Sequence, residues 1–428
     1  MHTASKHSLA PGITLTYVKT DKLKTGCLSV NIISGLHHET VARNALLPRV
    51  LRRGSREHPD MASLAAALDE LYGARIEPVL RKKGELHCLG FYADFLDDRY
   101  IADESYVLEK TFDLLGGILL SPDMPDGMLR SDYIESEKSN LIDDIQAAIN
   151  DKRTYVVDRL LKEMCSKEAF GLNRLGDEDG VSKITPEALT AHHRSILSDS
   201  RIEIFYCGFA DQSRIMNALG KASAGLPARG SISSPKTDVV LYPESAQPKQ
   251  LSEPLDISQG KLAVGFRLGR AMQGIPDFPA LMVFNSLYGG CATSKLFLNM
   301  REKLSLCYYA NSMLDRNKGI MIVSSGIDFS NYDPALNEIT LQLENVKKGD
   351  IQEWELLSAK RAITTAVKSA MDRPGGLEDL YFSSIVSSHP YDPETLCSMI
   401  ESVTLSRIME AAAEITPDTI YFLKGNNI

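Results

Sequence analysis

Asn44-Ala45-Leu46-Leu47-Pro48-Arg49-Val50-Leu51-Arg52-Arg53-Gly54-Ser55 is the stretch on which the reading of this chain turns. Leu46, Leu47, Val50 and Leu51 recur at helical spacing, so one face of a short helix is apolar. Pro48 lacks an amide proton and crowds the turn before it, which predicts a helix that starts near Asn44 or kinks there. Gly54 stands where a left-handed residue closes a helix.

Around this helix the composition is that of a globular protein. The chain has 428 residues, enough for two domains with a core each. Hydrophobic residues make up 43% and charged residues 24%. A net charge of −9 argues against a nucleic-acid surface. No uninterrupted apolar run is long enough to span a bilayer, and the opening residues from Met1 to His7 lack a signal-peptide core. Neither a nucleic-acid nor a membrane partner is expected. Cys27, Cys88, Cys165, Cys207, Cys291, Cys307 and Cys397 form an odd set without paired spacing. They read as buried thiols in a reducing, cytoplasmic compartment.

Outward from the opening helix, β-branched runs at 13–19 and 27–33 predict a hairpin turning through 20–26. Asp60 caps a helix that Gly73 ends, and a second hairpin turns at Lys82-Lys83-Gly84. A helix is expected over 104–119 and a long helical region from about Asp126. Thr185 and Pro186 open another helix, followed by a strand at 201–207 that Gly208 closes. The end of the chain repeats this pattern: Thr404 opens a helix, and a strand at 419–423 leads to Gly425. That recurrence suggests a duplicated domain. Residues 224–250 are rich in Pro, Gly and Ser and mark a linker. The expected organisation is therefore a domain over 1–223, a linker over 224–250 and a domain over 251–428. In the second half a strand at 261–267, a helix at 280–287 and a hairpin turning at Asn317-Lys318-Gly319 precede further helices. Strands interleaved with helix pairs in both halves mean α+β.

Two segments carry a resemblance. The first is Ala45 to Ser55 with Leu68-Asp69-Glu70-Leu71-Tyr72-Gly73-Ala74 downstream. The second is Ser294-Lys295-Leu296-Phe297 leading into Arg301-Glu302-Lys303-Leu304-Ser305-Leu306-Cys307-Tyr308-Tyr309. Together they resemble the insulinase/pitrilysin/mitochondrial processing peptidase family over nearly the whole chain. They look most like the non-catalytic member of its paired bacterial peptidases, the aminopentanol-modification-associated group. The resemblance implies two homologous domains of the mitochondrial processing peptidase-like metallohydrolase fold, forming half of a clamshell around a peptide. In catalytic members two His one turn apart bind zinc and a Glu between them is the base. Counting back from Gly54, the His positions fall on Ala45 and Arg49 and the base on Pro48. The third ligand position, seven residues after the Glu of a Glu-Lys pair, falls on Asp144 if Glu137-Lys138 is that pair. Asp144 also reads simply as a solvated acid on a polar helix face.

With the motif lost, neither metal nor other cofactor is expected. The resemblance implies a non-catalytic chain that pairs with a catalytic homologue as a heterodimer and offers residues to a peptide or protein substrate in trans. An Arg and a Tyr seven residues apart, here Arg301 and Tyr308, hold the peptide backbone in relatives. A guanidinium and a phenol suit a carbonyl and an oxyanion. On spacing alone, Arg301 reads as a cap at a helix C-terminus and Tyr308 as a strand aromatic; it is the surrounding match that favours the substrate role. Two alternatives stand beside this reading. One is an active metallopeptidase with a displaced site at His37, His38, Glu39 and Asp144. The other is a homodimeric scaffold that binds peptides without cutting them. Gly289-Gly290 lacks the Gly-Lys-Ser/Thr of a phosphate loop and reads as a turn before a helix. His192-His193 lies on a helix, where adjacent side chains diverge.

Overall fold

The computed structural model describes residues 3–101, 106–272, 278–387 and 391–426. The chain forms two compact units that interleave in sequence. Unit 1 comprises Met1–Gln146, Leu172–Lys236 and Ala370–Ser383; unit 2 comprises Ala147–Gly171, Thr237–Ser369 and Ser384–Ile428.

The strands of unit 1 are β1 (Thr3–Ala10), β2 (Ile13–Lys19), β3 (Thr25–Gly35), β4 (Arg75–Lys83), β5 (Leu86–Leu96) and β6 (Arg201–Gly208). They form one sheet in the order β1-β2-β6-β3-β5-β4. The strands of unit 2 are β7 (Lys249–Leu255), β8 (Gly260–Arg267), β9 (Cys307–Asp315), β10 (Ile320–Ile327) and β11 (Thr416–Gly425). Their order is β7-β11-β8-β10-β9. β2 lies parallel to β6, as β7 does to β11, and the remaining neighbours are antiparallel. Strands β2 to β6 thus match β7 to β11 one for one in order and direction. The two domains are homologous, and the class is α+β.

The helices of the first half are α1 (His38–Leu51), α2 (Met61–Asp69), α3 (Val107–Leu120), α4 (Ser131–Ala147), α5 (Lys152–Met164), α6 (Glu178–Ser182), α7 (Pro186–Asp199) and α8 (Gln212–Ala222). Those of the second half are α9 (Phe278–Asn285), α10 (Tyr332–Lys347), α11 (Glu353–Met371), α12 (Pro374–Ile385), α13 (Pro393–Glu401) and α14 (Leu405–Ala412). None is long and apolar enough to cross a membrane, among the described residues.

Both faces of each sheet are covered. In unit 1, Leu46, Leu47 and Val50 of α1, Phe112 of α3 and Leu189 of α7 share a core with Leu28, Ile32 and Phe91 of the sheet. Successive strand residues point to opposite faces, so Cys27 of β3 joins Val18, Phe205 and Cys207 on the other side, against Leu377 and Tyr381 of α12. In unit 2, Val156, Leu160 and Met164 of α5 pack on Ala263, Ile320, Ile322, Tyr421 and Leu423. Gly265 is what lets α5 approach: a Cβ there would stand 2.5 Å from the Met164 sulfur.

A paired carboxylate, buried in unit 1 and partly buried in unit 2, accompanies each of these covering segments. Glu378 of α12 is 1% exposed. Its Oε1 accepts from the Ser29 hydroxyl (2.9 Å), Asn31 Nδ2 (3.2 Å) and Arg81 Nη1 (2.9 Å), and Oε2 accepts from Arg81 Nη2 (2.7 Å). In unit 2, Glu168, four residues past α5, accepts from Arg267 Nη2 at 2.6 Å and pairs with Lys318 Nζ at 2.6 Å.

Several expectations from sequence need correction. β2 and β3 are not a hairpin, because β6 lies between them. The opening helix starts at His38 rather than near Asn44 and runs through Pro48 to Leu51. Pro48 falls in the last turn, where a missing amide costs one bond at a helix end that still bonds Arg52 N–H to the Pro48 carbonyl. Gly54 is absent from the left-handed residues. It is needed for close approach instead, since a Cβ would lie 2.6 Å from the Pro59 carbonyl oxygen. Cys291 is partly exposed, while the other six thiols are buried, and none of the seven forms a disulfide. The helix expected from Glu104 begins, among the described residues, at Val107; Glu104 itself lies outside them. By contrast, Gly73, Gly84 and Gly319 all adopt positive φ where turns or a helix end were expected.

Replacing Glu378 with Ala would leave the Arg81 guanidinium buried without its carboxylate. The expected loss is about 3–5 kcal/mol of stability, measured by denaturant unfolding with Glu378→Gln as the milder comparison. A change below about 1 kcal/mol would show that water replaces the carboxylate cheaply.

Candidate functional site

α1 is fixed in unit 1 by a polar network as well as by its apolar face. Asn44, fully buried, donates from Nδ2 to the Ser34 hydroxyl (3.1 Å) and to His87 Nδ1 (3.1 Å). Its Oδ1 accepts from His192 Nε2 at 2.7 Å. This pattern requires His87 to be neutral with a bare Nδ1, and it joins α1 to β3, β5 and α7. Burial pushes both imidazoles down to about 4. His193 points elsewhere and donates to the Leu119 carbonyl at 2.7 Å, so the adjacent histidines diverge as the helix requires.

The next residues of α1 hold the degenerate motif. Ala45 and Pro48 are buried; Arg49 is half-buried. Arg49 Nη2 donates to Asp144 Oδ2 at 2.7 Å. Arg49 and Asp144, which the resemblance assigns to the second His and the third ligand, are therefore brought together by α1 and α4 as an ion pair. One helical stage further, Arg53 Nη1 donates to Glu137 Oε1 at 3.0 Å, and Arg53 stacks over the Tyr133 ring at 5.0 Å. Glu137 and Asp144 lie seven residues apart, on one face of α4, so the two pairs form successive rungs. Asp144 is thus paired, and the reading of it as merely solvated is corrected.

A site of this kind can bind charge but has no ligand set for zinc. Ala45 offers no donor atom, Pro48 no base, and Arg49 a permanent cation where a metal would need electron pairs. The displaced site fares no better. His37, His38 and Glu39 are exposed at the start of α1, and His38 Nε2 lies 3.9 Å from Asp177. Eleven residues of helix, about 16 Å, separate His38 from Arg49, the partner of Asp144. No group of three or more His, Cys, Asp or Glu among the described residues could hold a metal ion.

Arg49, Arg52, Arg53 and Arg174 line a cleft of about 740 Å³, with Glu77 and Glu137 among the other walls. One side of it is β4, an edge strand of the sheet. Sequence reading missed this cleft, because Arg174 and β4 reach it only through the tertiary fold. The run Arg49, Arg52, Arg53 was the available signal.

In unit 2, Arg301 lies in a π-helical turn (Phe297–Lys303) and Tyr308 on β9, the free edge of its sheet. The Arg301 side chain is 47% exposed, stacked 4.9 Å over the Phe297 ring, with Glu302 at 3.6 Å. Tyr308 is 60% exposed, and its hydroxyl donates to Asp328 Oδ1 at 3.2 Å. Neither side chain contributes to a core.

The imidazoles give a pH dependence of defined sign. An unfolded histidine takes up a proton below about 6.5, whereas His87 and His192 hold out until about 4. Stability is therefore complete above about 6.5 and declines as pH falls toward 4, by about 2 kcal/mol per imidazole at pH 5. Urea unfolding at pH 7 and pH 5 measures it; equal midpoints would mean that the network admits protons. A second expectation concerns repair: Ala45→His, Pro48→Glu and Arg49→His together should give weak zinc binding and little peptide turnover, because Asp144 is one methylene shorter than the Glu of that position. Efficient cleavage by the triple variant would show that Asp144 suffices.

Comparison with known proteins agrees with this geometry. The family description "Peptidase M16 inactive domain" matches residues 183–363. A probable inactive metalloprotease of Bacillus subtilis (strain 168), YmfF, is 36% identical across 98% of this chain and 97% of its own length. A conserved protein from Enterococcus faecalis V583 superposes with a TM-score of 0.86 at 28% identity, covering 99% of this chain and 98% of that one. A peptidase M16 inactive domain from Pseudomonas fluorescens shares the fold, with a TM-score of 0.79 at 16% identity over 99% and 98% of the two chains. A relative this similar over its whole length and the matching family description lead to one conclusion: the chain belongs to the M16 metallopeptidase family and is one of its inactive members.

Proposed function

We infer that this chain is the substrate-binding half of a peptidase pair. It joins a catalytic homologue of its own family, adds its second domain to the wall of the partner's chamber and presents Arg301 and Tyr308 to the bound peptide. The observation that carries this reading is the placement of those two side chains: both stand exposed at or beside an edge of the unit 2 sheet, held only by surface contacts to Asp328, Phe297 and Glu302 and outside any core. A long charged side chain and a phenol kept out of the core are available to hydrogen-bond a substrate. A free strand edge next to them can add main-chain bonds to an extended peptide. Loss of the zinc motif in the first domain explains why the chemistry would belong to the partner. Seven cysteines outside any disulfide are consistent with a reducing compartment, and the cytoplasm is the proposed location.

The experiment is reconstitution with the catalytic homologue from the same host. Arg301→Ala deletes a charge-assisted hydrogen bond, so the partner's turnover should fall roughly ten- to a hundredfold while assembly on a native gel is unchanged. Tyr308→Phe should lower it less, since only a hydroxyl is lost. If both variants assemble and leave turnover intact, the trans role is wrong. A homodimeric scaffold would then be the better account.

A further inference from the structure

The arginine-lined cleft of unit 1 has features that the pairing reading does not require. Its walls carry four guanidinium groups against the two carboxylates of Glu77 and Glu137. Arg49 and Arg53 are paired, with Asp144 and Glu137. Arg52 and Arg174 have no carboxylate partner among the described residues; Arg52 spends only its Nε, on the Ile76 carbonyl, and Arg174 is exposed. Two donors with unspent hydrogen-bonding capacity therefore face a concave space.

The edge strand beside them is obstructed in a particular way. Backbone groups of alternate residues on an edge strand point away from the sheet. On β4 the outward set includes Ile76, whose carbonyl takes the Arg52 Nε–H, and Pro78, of the same parity, which has no N–H. A peptide adding to this edge can pair fully beside Leu80, but at Pro78 it meets a carbonyl without an N–H and at Ile76 a carbonyl already taken by Arg52. Main-chain pairing therefore thins out toward that end. Antiparallel to β4, a peptide would bring its C-terminus to that point; parallel, its N-terminus. Guanidinium groups at that end favour a carboxylate and repel an ammonium.

We propose that this cleft captures the C-terminal carboxylate of an extended peptide, lying antiparallel to β4 with its last residue at Pro78 and its carboxylate on Arg52 and Arg174. The proposal draws on the chain's character as a peptide binder but not on the trans role of Arg301 and Tyr308. The thinned pairing also accounts for why strand addition here would be short: the site reads a chain end rather than a strand passing through.

The test uses the full chain and three pools of random hexapeptides, compared by retention on immobilised protein. One pool has a free C-terminal carboxylate, one is C-terminally amidated, and one is amidated with Glu as its last residue. The free-acid pool should be retained at least tenfold better than the amidated pool, and Arg52→Gln with Arg174→Gln should bring that ratio close to one. Arg301→Ala should leave the ratio as in the unaltered chain, which separates this site from the trans role. Equal retention of acid and amide overturns the proposal. So does a preference that survives loss of both arginines, or retention of the amidated Glu pool in place of the free acid, which would assign the cleft to a side-chain carboxylate.

Discussion

Each sheet in this protein is buried on both faces, and that condition organises the rest. A single layer of helices covers one face of the unit 1 sheet, leaving Val18, Cys27, Phe205 and Cys207 apolar on the other. α12 supplies the cover, from a position more than one hundred and sixty residues beyond β6. α5 does the same for unit 2, from before β7. Hydrophobic burial is non-directional and would accept these helices in many rotations. The ion pairs are directional. Glu378 on Arg81 and Glu168 on Arg267 each place one carboxylate where a guanidinium can take it bidentately, so each covering segment has one register.

The same residue type serves a different purpose at the lost metal site. A zinc centre concentrates positive charge between two helices and balances it with ligands. Here Arg49 keeps a positive charge between α1 and α4, and Asp144 balances it. The helices can retain their spacing although the chemistry is gone. A guanidinium cannot polarise a carbonyl as a Lewis acid or lower the pKa of a bound water as zinc does, but it binds anions well.

Local signals in the sequence were read well wherever a single residue decides the backbone. Gly73, Gly84 and Gly319 turn the chain as expected, and Asp60 and Thr185 accept the helix-start amides of Ser63 and Ala188. Failures came where distance along the chain was involved. β2 and β3 are consecutive, and nothing in their composition reveals that β6 will separate them. β7 was hidden in the Pro/Ser-rich approach to position 250, because an edge strand with one side exposed has little apolar signature. At the site, the resemblance pointed to Asp144 through its spacing from Glu137, but the arginine partners of both could be assigned only once α1 and α4 were seen side by side. The cleft wall contributed by Arg174 had no sequence signal of its own.

The late arrival of α12 has a consequence for synthesis. Chain elongation proceeds at roughly 5–20 residues per second. The sheet of unit 1 has all its strands once Gly208 has emerged, yet one of its faces stays uncovered until Ser383 follows. At those rates, the ribosome spends roughly 9–35 seconds on the intervening residues. Throughout that interval Val18, Phe205 and the thiols of Cys27 and Cys207 are presented to the cytosol or to whatever holds nascent chains. The first domain in sequence therefore cannot close until most of the second has been made, and a holdase that shields apolar surface is the kind of helper this topology calls for during translation.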